Sequence, residues 1–273
     1  MVFNQPMKPT GASVNSKSAE PTPDPLETRE SALKSCSPPA PSRPTSPSVL
    51  GRIAAWWAPV GVAARQRARP ILVGSAALAA ILACIFPMDV SLSSGETAEG
   101  VRVIARRLSW WGEFHLLPLI WVGAIAAAGV IWKRRHWLEG AISGLAGGAA
   151  AGILVMLAKI LFGRPRPSER LADGFYWLKF GSAWASFPSG HAAHCFGMAV
   201  GVSMVLPRFW PASIAFASLV AWSRFALHRH YVSDLLAGAW IGVVAGVIFG
   251  LAARRRLASC GADRAIQPPI NLS

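Results

Sequence analysis

Charge is what this chain has least of. Only 15% of its 273 residues are Asp, Glu, Lys or Arg, against about 25% in an average soluble domain. Acidic groups are the scarcer: 13 Asp and Glu stand against 27 Lys and Arg, a net charge of +14. There is no Asp-rich constellation of the kind that holds catalytic magnesium, so no metal or other cofactor is expected. Cysteine is sparse too. Cys36, Cys84, Cys195 and Cys260 show neither CxxC spacing nor a zinc-type His pattern, which leaves free thiols. Apolar residues fill the gap. They make up 53% of the chain and come in long blocks, which points to a membrane rather than a soluble domain. A basic soluble protein would suggest nucleic acid. Here the basic residues flank apolar runs, as cytoplasmic loops do, so the bilayer is the expected partner and nucleic acid is not.

Residues 1–50 are rich in Pro, Ser, Thr and Ala and cannot bury enough apolar surface to offset their ordering entropy. They read as a disordered cytoplasmic tail, too polar for a secretory signal with its apolar core of about 7–15 residues. Residues 51–69 carry Trp56, Trp57, Arg65, Arg67 and Arg69 and read as an interfacial segment. Six apolar runs follow, at 71–88, 114–132, 140–158 (running on to 162), 188–206, 211–227 and 235–253. Most approach the roughly 20 residues that cross a bilayer core. The expected fold is all-α: a six-helix transmembrane bundle over 70–256, with a cytoplasmic tail at 257–273.

Lys and Arg set the orientation. Arg65 to Arg69, Lys133 to Arg135, Arg208, and Arg254 to Arg256 fall on one side of six spans, which makes both termini cytoplasmic. Loops 89–113, 163–187 and 228–234 then face outward across an inner membrane. Arg102, Arg106 and Arg107 depart from the rule, and 97–111 reads as an amphipathic helix on the outer surface, ending in Trp110 and Trp111. This topology brings Lys159, His191, Arg224, His230 and Asp234 to the outer ends of their helices. Gly238, Gly242, Gly246 and Gly250, and likewise Gly144, Gly148 and Gly152, recur every four residues and let helices approach closely in lipid. His230 and Asp234 continue the first series and should face the bundle interior.

Three polar clusters sit in this frame: Lys159 with Arg164-Pro165-Arg166-Pro167, then Pro188-Ser189-Gly190-His191, then Ser223-Arg224 with His230 and Asp234. A phosphate dianion in a partly dry site needs fixed cations and N–H donors. One cation about 4 Å away contributes about 4 kcal/mol at an effective dielectric of about 20. Lys159, Arg166 and Arg224 supply three, and Arg offers a planar bidentate fork. Ser189 and Gly190 open a helix, where unpaired N–H groups meet anions. His230 and Asp234, four apart, share a helical face, so the carboxylate can fix the tautomer and leave the other ring nitrogen to attack phosphorus. His191 is then available as acid to the leaving oxygen and base to water. Singly, each residue has a bland reading: a snorkelling Lys or Arg, a helix-start turn. Their convergence on one face argues for a site.

Lys-x6-Arg-Pro, Pro-Ser-Gly-His and Ser-Arg-x5-His-x3-Asp resemble the three-part signature of the type 2 phosphatidic acid phosphatase superfamily, matched at every position over about residues 155–240. The resemblance implies a metal-independent membrane lipid phosphatase working through a phosphohistidine. It implies His230 as nucleophile, Asp234 as its partner and His191 as acid. It implies Lys159, Arg166, Ser189, Gly190 and Arg224 as the phosphate ligands. Phosphatidic acid, phosphatidylglycerol phosphate, prenyl diphosphates and lipid A phosphates remain open as substrates, and the oligomeric state is open too.

Other residues carry weaker expectations. Arg164 reads as a further phosphate ligand or a headgroup contact, His194 as a hydrogen-bonded bundle residue before a support to the site one turn behind His191, and His228 and Arg229 as rim. Glu169, Arg170, Asp173 and Lys179 read as solvated loop, with headgroup contact as the alternative, and Phe175, Tyr176, Trp177, Phe180, Trp184 and Phe187 as an interfacial belt, with guidance of an acyl or prenyl chain as the alternative. Three rivals stand beside a hydrolase. A phosphotransferase of the same superfamily would carry identical motifs. A vanadium-dependent haloperoxidase has a similar oxyanion site but is typically soluble. A transporter would not need the His191 and His230 pair.

Overall fold

The apolar runs fold as helices, and the one over Gly190–Val205 packs among its neighbours at the centre. The computed structural model describes residues 48–113 and 117–259, and the tail expected over 1–50 lies, but for its last residues, outside them. In order the helices are α1 (Val49–Ile85), α2 (Asp89–Ser93), α3 (Glu99–Trp111), α4 (Leu117–Ile131), α5 (Arg135–Phe162), α6 (Gly190–Val205), α7 (Trp210–Ala226) and α8 (Val232–Ser259). No strand occurs among the described residues, and a single isolated bridge pairs Arg164 with Ala185.

Among the described residues three helical stretches are long and apolar enough to cross a membrane: Val49–Ser93, Arg135–Phe162 and Val232–Ser259. Pro118–Ile131 is a shorter apolar helix. Helix α6 is short and enclosed. Its 16 residues rise about 24 Å, short of a bilayer core of about 30 Å. It packs against α5, α7 and α8 and buries Ala192, Ala193, Met198, Val202 and Val205. Small residues make that enclosure possible. A Cβ on Gly238 would lie 2.3 Å from the Ser189 carbonyl, and one on Gly242 2.3 Å from that of Ala193. The α8 stripe therefore lets its backbone touch α6, as expected. Gly144 and Gly148 meet α6 in the same way, whereas Gly152 faces open space and drops out of the α5 stripe.

Two boundaries differ from the sequence reading. Residues 51–69 are not a separate element but the first half of α1, which runs through Pro59 and Pro70. At the other end α8 continues to Ser259, and Leu257 is fully buried in the core with Val122, Val205 and Ala253. The body thus extends past residue 256. Helix α3 is amphipathic, as expected for 97–111, but it packs on α7 and buries Ala105 and Ser109 there.

The loop from α5 to α6 positions the site. Gly163 takes a left-handed conformation (φ 56°) and its N–H closes onto the Lys159 carbonyl, ending α5 as a Gly-x-Pro sequence should. Three carbonyls left open at that helix end, Leu161, Phe162 and Gly163, accept from the N–H groups of Leu178, Trp177 and Tyr176 at 3.1, 3.2 and 3.3 Å. The loop is thereby folded back over α5. Further along, Arg166 N–H donates to Ala183 O (2.9 Å) and Ser186 N–H to Arg164 O (3.1 Å).

Candidate active site

The loop and the ends of α5, α6, α7 and α8 bring all eight expected site residues together. Lys159 Nζ donates to the Ala185 carbonyl, and its Cε lies 4.0 Å from where a Gly190 Cβ would stand. Ser189 is the N-cap of α6, yet its hydroxyl makes no capping bond. Its backbone N–H instead donates to the Asp234 carbonyl (2.9 Å), tying the start of α6 to α8. Arg224 Nη1 donates to Ser109 Oγ, so α3 reaches the site as well. Lys159, Arg224 and His230 all lie within electrostatic reach of His191.

Four polar atoms here are buried without a hydrogen-bond partner among the described residues: Arg166 Nε, Ser189 Oγ, His191 Nε2 and Arg224 Nε. A buried unpaired polar group costs about 1–3 kcal/mol, more when charged, so each calls for an explanation. They belong to three sequence-distant clusters, and each is of a type that can meet an anion. Burial, and next the charge of Arg229, push the Arg166 guanidinium below its ordinary pKa, against the opposing charges of Glu169 and Asp234.

His230 is 2% exposed. Its Nδ1 lies 2.8 Å from the Ser186 carbonyl and 3.7 Å from Asp234 Oδ2. Both neighbours are acceptors, so Nδ1 carries the proton and Nε2 keeps its lone pair. This refines the expected pairing: the hydrogen bond goes to a backbone carbonyl, and Asp234 acts across a slightly longer gap by charge. Asp234 Oδ2 itself accepts from Ser186 Oγ (2.5 Å) and from Tyr231 N–H (2.9 Å). Burial holds the His230 imidazole down to about 4, with Asp234 opposing and Lys159 reinforcing the shift, so the ring is neutral at neutral pH.

Arg164 corrects the sequence reading. It is fully buried, and all three of its guanidinium nitrogens are hydrogen-bonded to protein side chains. Its guanidinium pairs with Asp89, Asp173 and Asp234. Burial works against its charge, but hydrogen bonds and charge from Asp173, Asp234 and Asp89 hold its pKa above the ordinary value. Asp173 is therefore a partner of Arg164 rather than a solvated loop residue, and Asp89 was missed altogether. Its only sequence signal is an acidic residue at the end of an apolar run. Among the described residues no group of His, Cys, Asp or Glu is arranged to hold a metal, since these three carboxylates converge on Arg164.

Of the remaining residues, His194 Nε2 meets the Gly112 carbonyl at 2.8 Å, as expected of a bonded bundle residue. His228 Nε2 meets Thr97 Oγ1 at 3.3 Å, and Arg229 lies within electrostatic reach of Arg166 and Arg224. The aromatic belt divides. Phe175 and Phe187 pack with Phe86 and Phe162 at centroid distances of 5.2 to 5.9 Å, while Trp177 and Phe180 are 55% and 73% exposed. A cavity of about 140 Å³ at Trp121, Met198 and Phe216, and a more open one of about 500 Å³ at Arg134, His136 and Arg208, both lie away from these groups.

Fold and site together define a helical membrane protein with a buried, cation-rich cluster at one end of its bundle. Residues 141–257 match the model of the PAP2 superfamily. The chain is 31% identical over 153 residues to the decaprenylphosphoryl-5-phosphoribose phosphatase of Mycobacterium tuberculosis, covering 55% of this chain and 78% of that protein. It is 30% identical over 152 residues to the lipid A 1-phosphatase of Porphyromonas gingivalis, covering 51% of this chain and 32% of that protein. The matches to this and two other lipid A 1-phosphatases take in 32 to 46% of those proteins' length. The crystal structure of a transmembrane PAP2-type phosphatidylglycerolphosphate phosphatase from Bacillus subtilis aligns over 77% of this chain and 100% of that one, with a TM-score of 0.50 and 20% identity, a likeness of fold. The chain belongs to the PAP2 superfamily, as its three clusters led one to expect.

Proposed function

We propose that this protein is an integral membrane lipid phosphatase that hydrolyses a phosphomonoester or diphosphate of a membrane lipid through a phosphohistidine on His230. The observation that carries the reading is the set of four buried, unpartnered polar atoms, Arg166 Nε, Ser189 Oγ, His191 Nε2 and Arg224 Nε. Such a set suits a tetrahedral oxyanion.

The steps follow from the residues. Lys159, Arg166 and Arg224 neutralise the phosphate, and Ser189 with the first N–H groups of α6 takes its oxygens. The His230 Nε2 lone pair bonds to phosphorus as the bond to the leaving oxygen breaks. His191 gives that oxygen a proton, an acid role that a neighbouring phosphate anion favours by stabilising the imidazolium. Water then attacks the phosphorus bound to His230 while His191 takes its proton. Inorganic phosphate leaves and both histidines return to their starting state. Asp234 offsets the positive charge that builds on the His230 ring. Three fixed cations stand where a metal would otherwise neutralise charge, so the reaction is assigned as metal-independent.

The relatives' names, a lipid A 1-phosphatase and a decaprenylphosphoryl-5-phosphoribose phosphatase, support a lipid of the cell envelope as substrate. Exposed Trp177, Leu178 and Phe180, on the loop that covers α5, offer apolar contact to such a lipid's chains. The Lys and Arg pattern supports six spans in an inner membrane, cytoplasmic termini and a site on the outer face.

The test is phosphate release by the purified protein from a panel of lipid phosphates in chelator, with His230→Ala alongside. Release by the wild type and none by the variant is expected. Strict dependence on added divalent metal, or turnover by the variant, overturns the mechanism. Product analysis with alcohol acceptors present separates hydrolysis from phosphotransfer. Impermeant thiol labelling of single cysteines placed at 134 and 172 in intact cells tests the orientation, and labelling at 134 but not 172 refutes it.

A further inference from the structure

The charged cluster behind His230 carries a role for residues outside the three motifs. All three Arg164 nitrogens donate. Nε and Nη2 reach the two Asp173 oxygens at 2.8 Å each, and Nη2 also reaches Asp89 Oδ2 at 3.0 Å. Nη1 reaches Asp234 Oδ1 at 2.8 Å and Ser233 Oγ at 2.7 Å. The guanidinium carbon lies 4.7 Å from the Phe86 ring centroid and 4.0 Å from that of Tyr231. Ser233 in turn donates to Asp89 from both its hydroxyl and its N–H. Only a planar five-donor fork can serve three carboxylates on three segments at once.

We infer that Arg164, Asp89 and Asp173 form a buried latch that positions Asp234, and through it His230, for phosphoryl transfer. The inference rests on the reading of His230 given above and adds residues to it. A carboxylate has two oxygens. Arg164 holds Oδ1 of Asp234, which fixes the rotation of the group and keeps Oδ2 turned toward Ser186, Tyr231 N–H and the His230 ring. One guanidinium among three carboxylates also leaves net negative charge behind the imidazole, where positive charge builds as Nε2 bonds to phosphorus. Arg164 is fully buried with every guanidinium nitrogen on a protein partner, so it is a positioning residue. Asp89 lies outside residues 141–257, so the geometry of the site depends on chain that precedes the family-matched region.

The experiment uses the full-length protein purified in detergent, with Arg164→Lys, Asp89→Asn and Asp173→Asn. Thermal unfolding is recorded, active sites are counted by acid-labile phosphoenzyme, and kcat and KM are measured per counted site. Arg164→Lys and Asp89→Asn should lower kcat by about 10–100-fold, the scale of a misplacement of order 1 Å, with KM near the wild-type value. The more accessible Asp173→Asn should lose less. The Arg164→Lys/Asp89→Asn double variant should lose less than the product of the two singles, because the pair acts as a unit. Wild-type kcat per counted site in the variants, even with lower melting temperatures, overturns the latch and leaves a purely structural role. If Arg164→Lys does not fold, the near-isosteric Asp89→Asn and Asp173→Asn decide alone. His230→Ala separates the two readings: turnover by that variant sinks the assigned nucleophile, whereas its silence beside fully active latch variants sinks only the latch.

Discussion

Two buried charged clusters stand side by side in this protein and are built on opposite rules. Around Arg164 every guanidinium nitrogen is paired, on Asp89, Asp173, Asp234 or Ser233. Around Arg166 and Arg224 the Nε atoms are buried and unpaired, as are Ser189 Oγ and His191 Nε2. Asp234 and His230 form the seam between them. The difference teaches how to tell scaffold from site among buried charges. A complete set of partners stabilises one arrangement of the chain, whereas an incomplete set is held open at a cost and waits for a ligand. Arg164 and Arg166 are two residues apart in sequence, so composition alone cannot separate them.

The largest effect that bears on this contrast belongs to the unpaired side. His191→Ala should slow release of a poor leaving group by about 10²–10⁴-fold, the usual reach of general acid catalysis. A substrate with a good leaving group should recover part of that loss in steady-state phosphate release. Equal defects on both substrates would remove His191 from the acid role.

Stability should split the two arginines. Arg164→Met breaks a buried multiple ion pair and should cost about 3–5 kcal/mol, seen as a large fall in unfolding temperature in detergent. Arg166→Met removes a cation without a counter-ion and should leave that temperature unchanged or raise it, while phosphate or vanadate affinity falls by about 10–100-fold for the loss of a charged hydrogen bond. A similar destabilisation in both variants would dissolve the contrast.

The seam has its own signature. The His230 ring, held at about 4, should stay neutral as pH falls from 7 to 5, where an ordinary imidazole would already be charged. Because the folded-state value lies below the unfolded one, acid favours unfolding, and this group's share of stability declines as pH falls below about 6.5. Carbon-13 spectra of labelled histidine, with His230→Ala for assignment, would reveal a titration near 6.5 if burial does not control the ring.

Much of the unpaired cluster was legible in the sequence, because its residues come in short runs with fixed spacing. The stripe Gly238, Gly242, Gly246 and Gly250 was legible too, and a Cβ at any of the four would press within 2.8 Å of a neighbouring atom. The paired cluster was not. Asp89 meets Arg164 across 75 residues of chain, and nothing local to either marks the other. Pro70 and the arginines before it read as a boundary, yet α1 runs through them. A proline costs a helix one backbone bond, which nearby groups and local adjustment can absorb. The placement of Phe86 and Phe175 over Arg164 was likewise hidden, since an aromatic in a loop looks the same whether it faces lipid or a buried guanidinium.

The smallest expected effect concerns Gly190, and it separates packing from binding. The glycines of the α8 stripe are required by the protein itself, because a Cβ there would collide with α6. Gly190 is not. A Cβ at this position would meet Val155 Cγ1 at 3.9 Å and Lys159 Cε at 4.0 Å, both ordinary contacts, and no positive φ demands glycine there. Gly190→Ala should therefore fold normally and gain up to about 1 kcal/mol from lost freedom in the unfolded chain. The added methyl would nonetheless stand beside Lys159, where the anion is proposed to lie. Vanadate inhibition should weaken roughly tenfold, about 1.4 kcal/mol, while the unfolding temperature holds or rises. Gly238→Ala should do the reverse and lower the unfolding temperature first, since its methyl meets the Ser189 carbonyl at 2.3 Å. Unchanged vanadate affinity in Gly190→Ala would show that the start of α6 is not where the anion sits, and would move the phosphate toward Arg224 and the α3 side of the cluster.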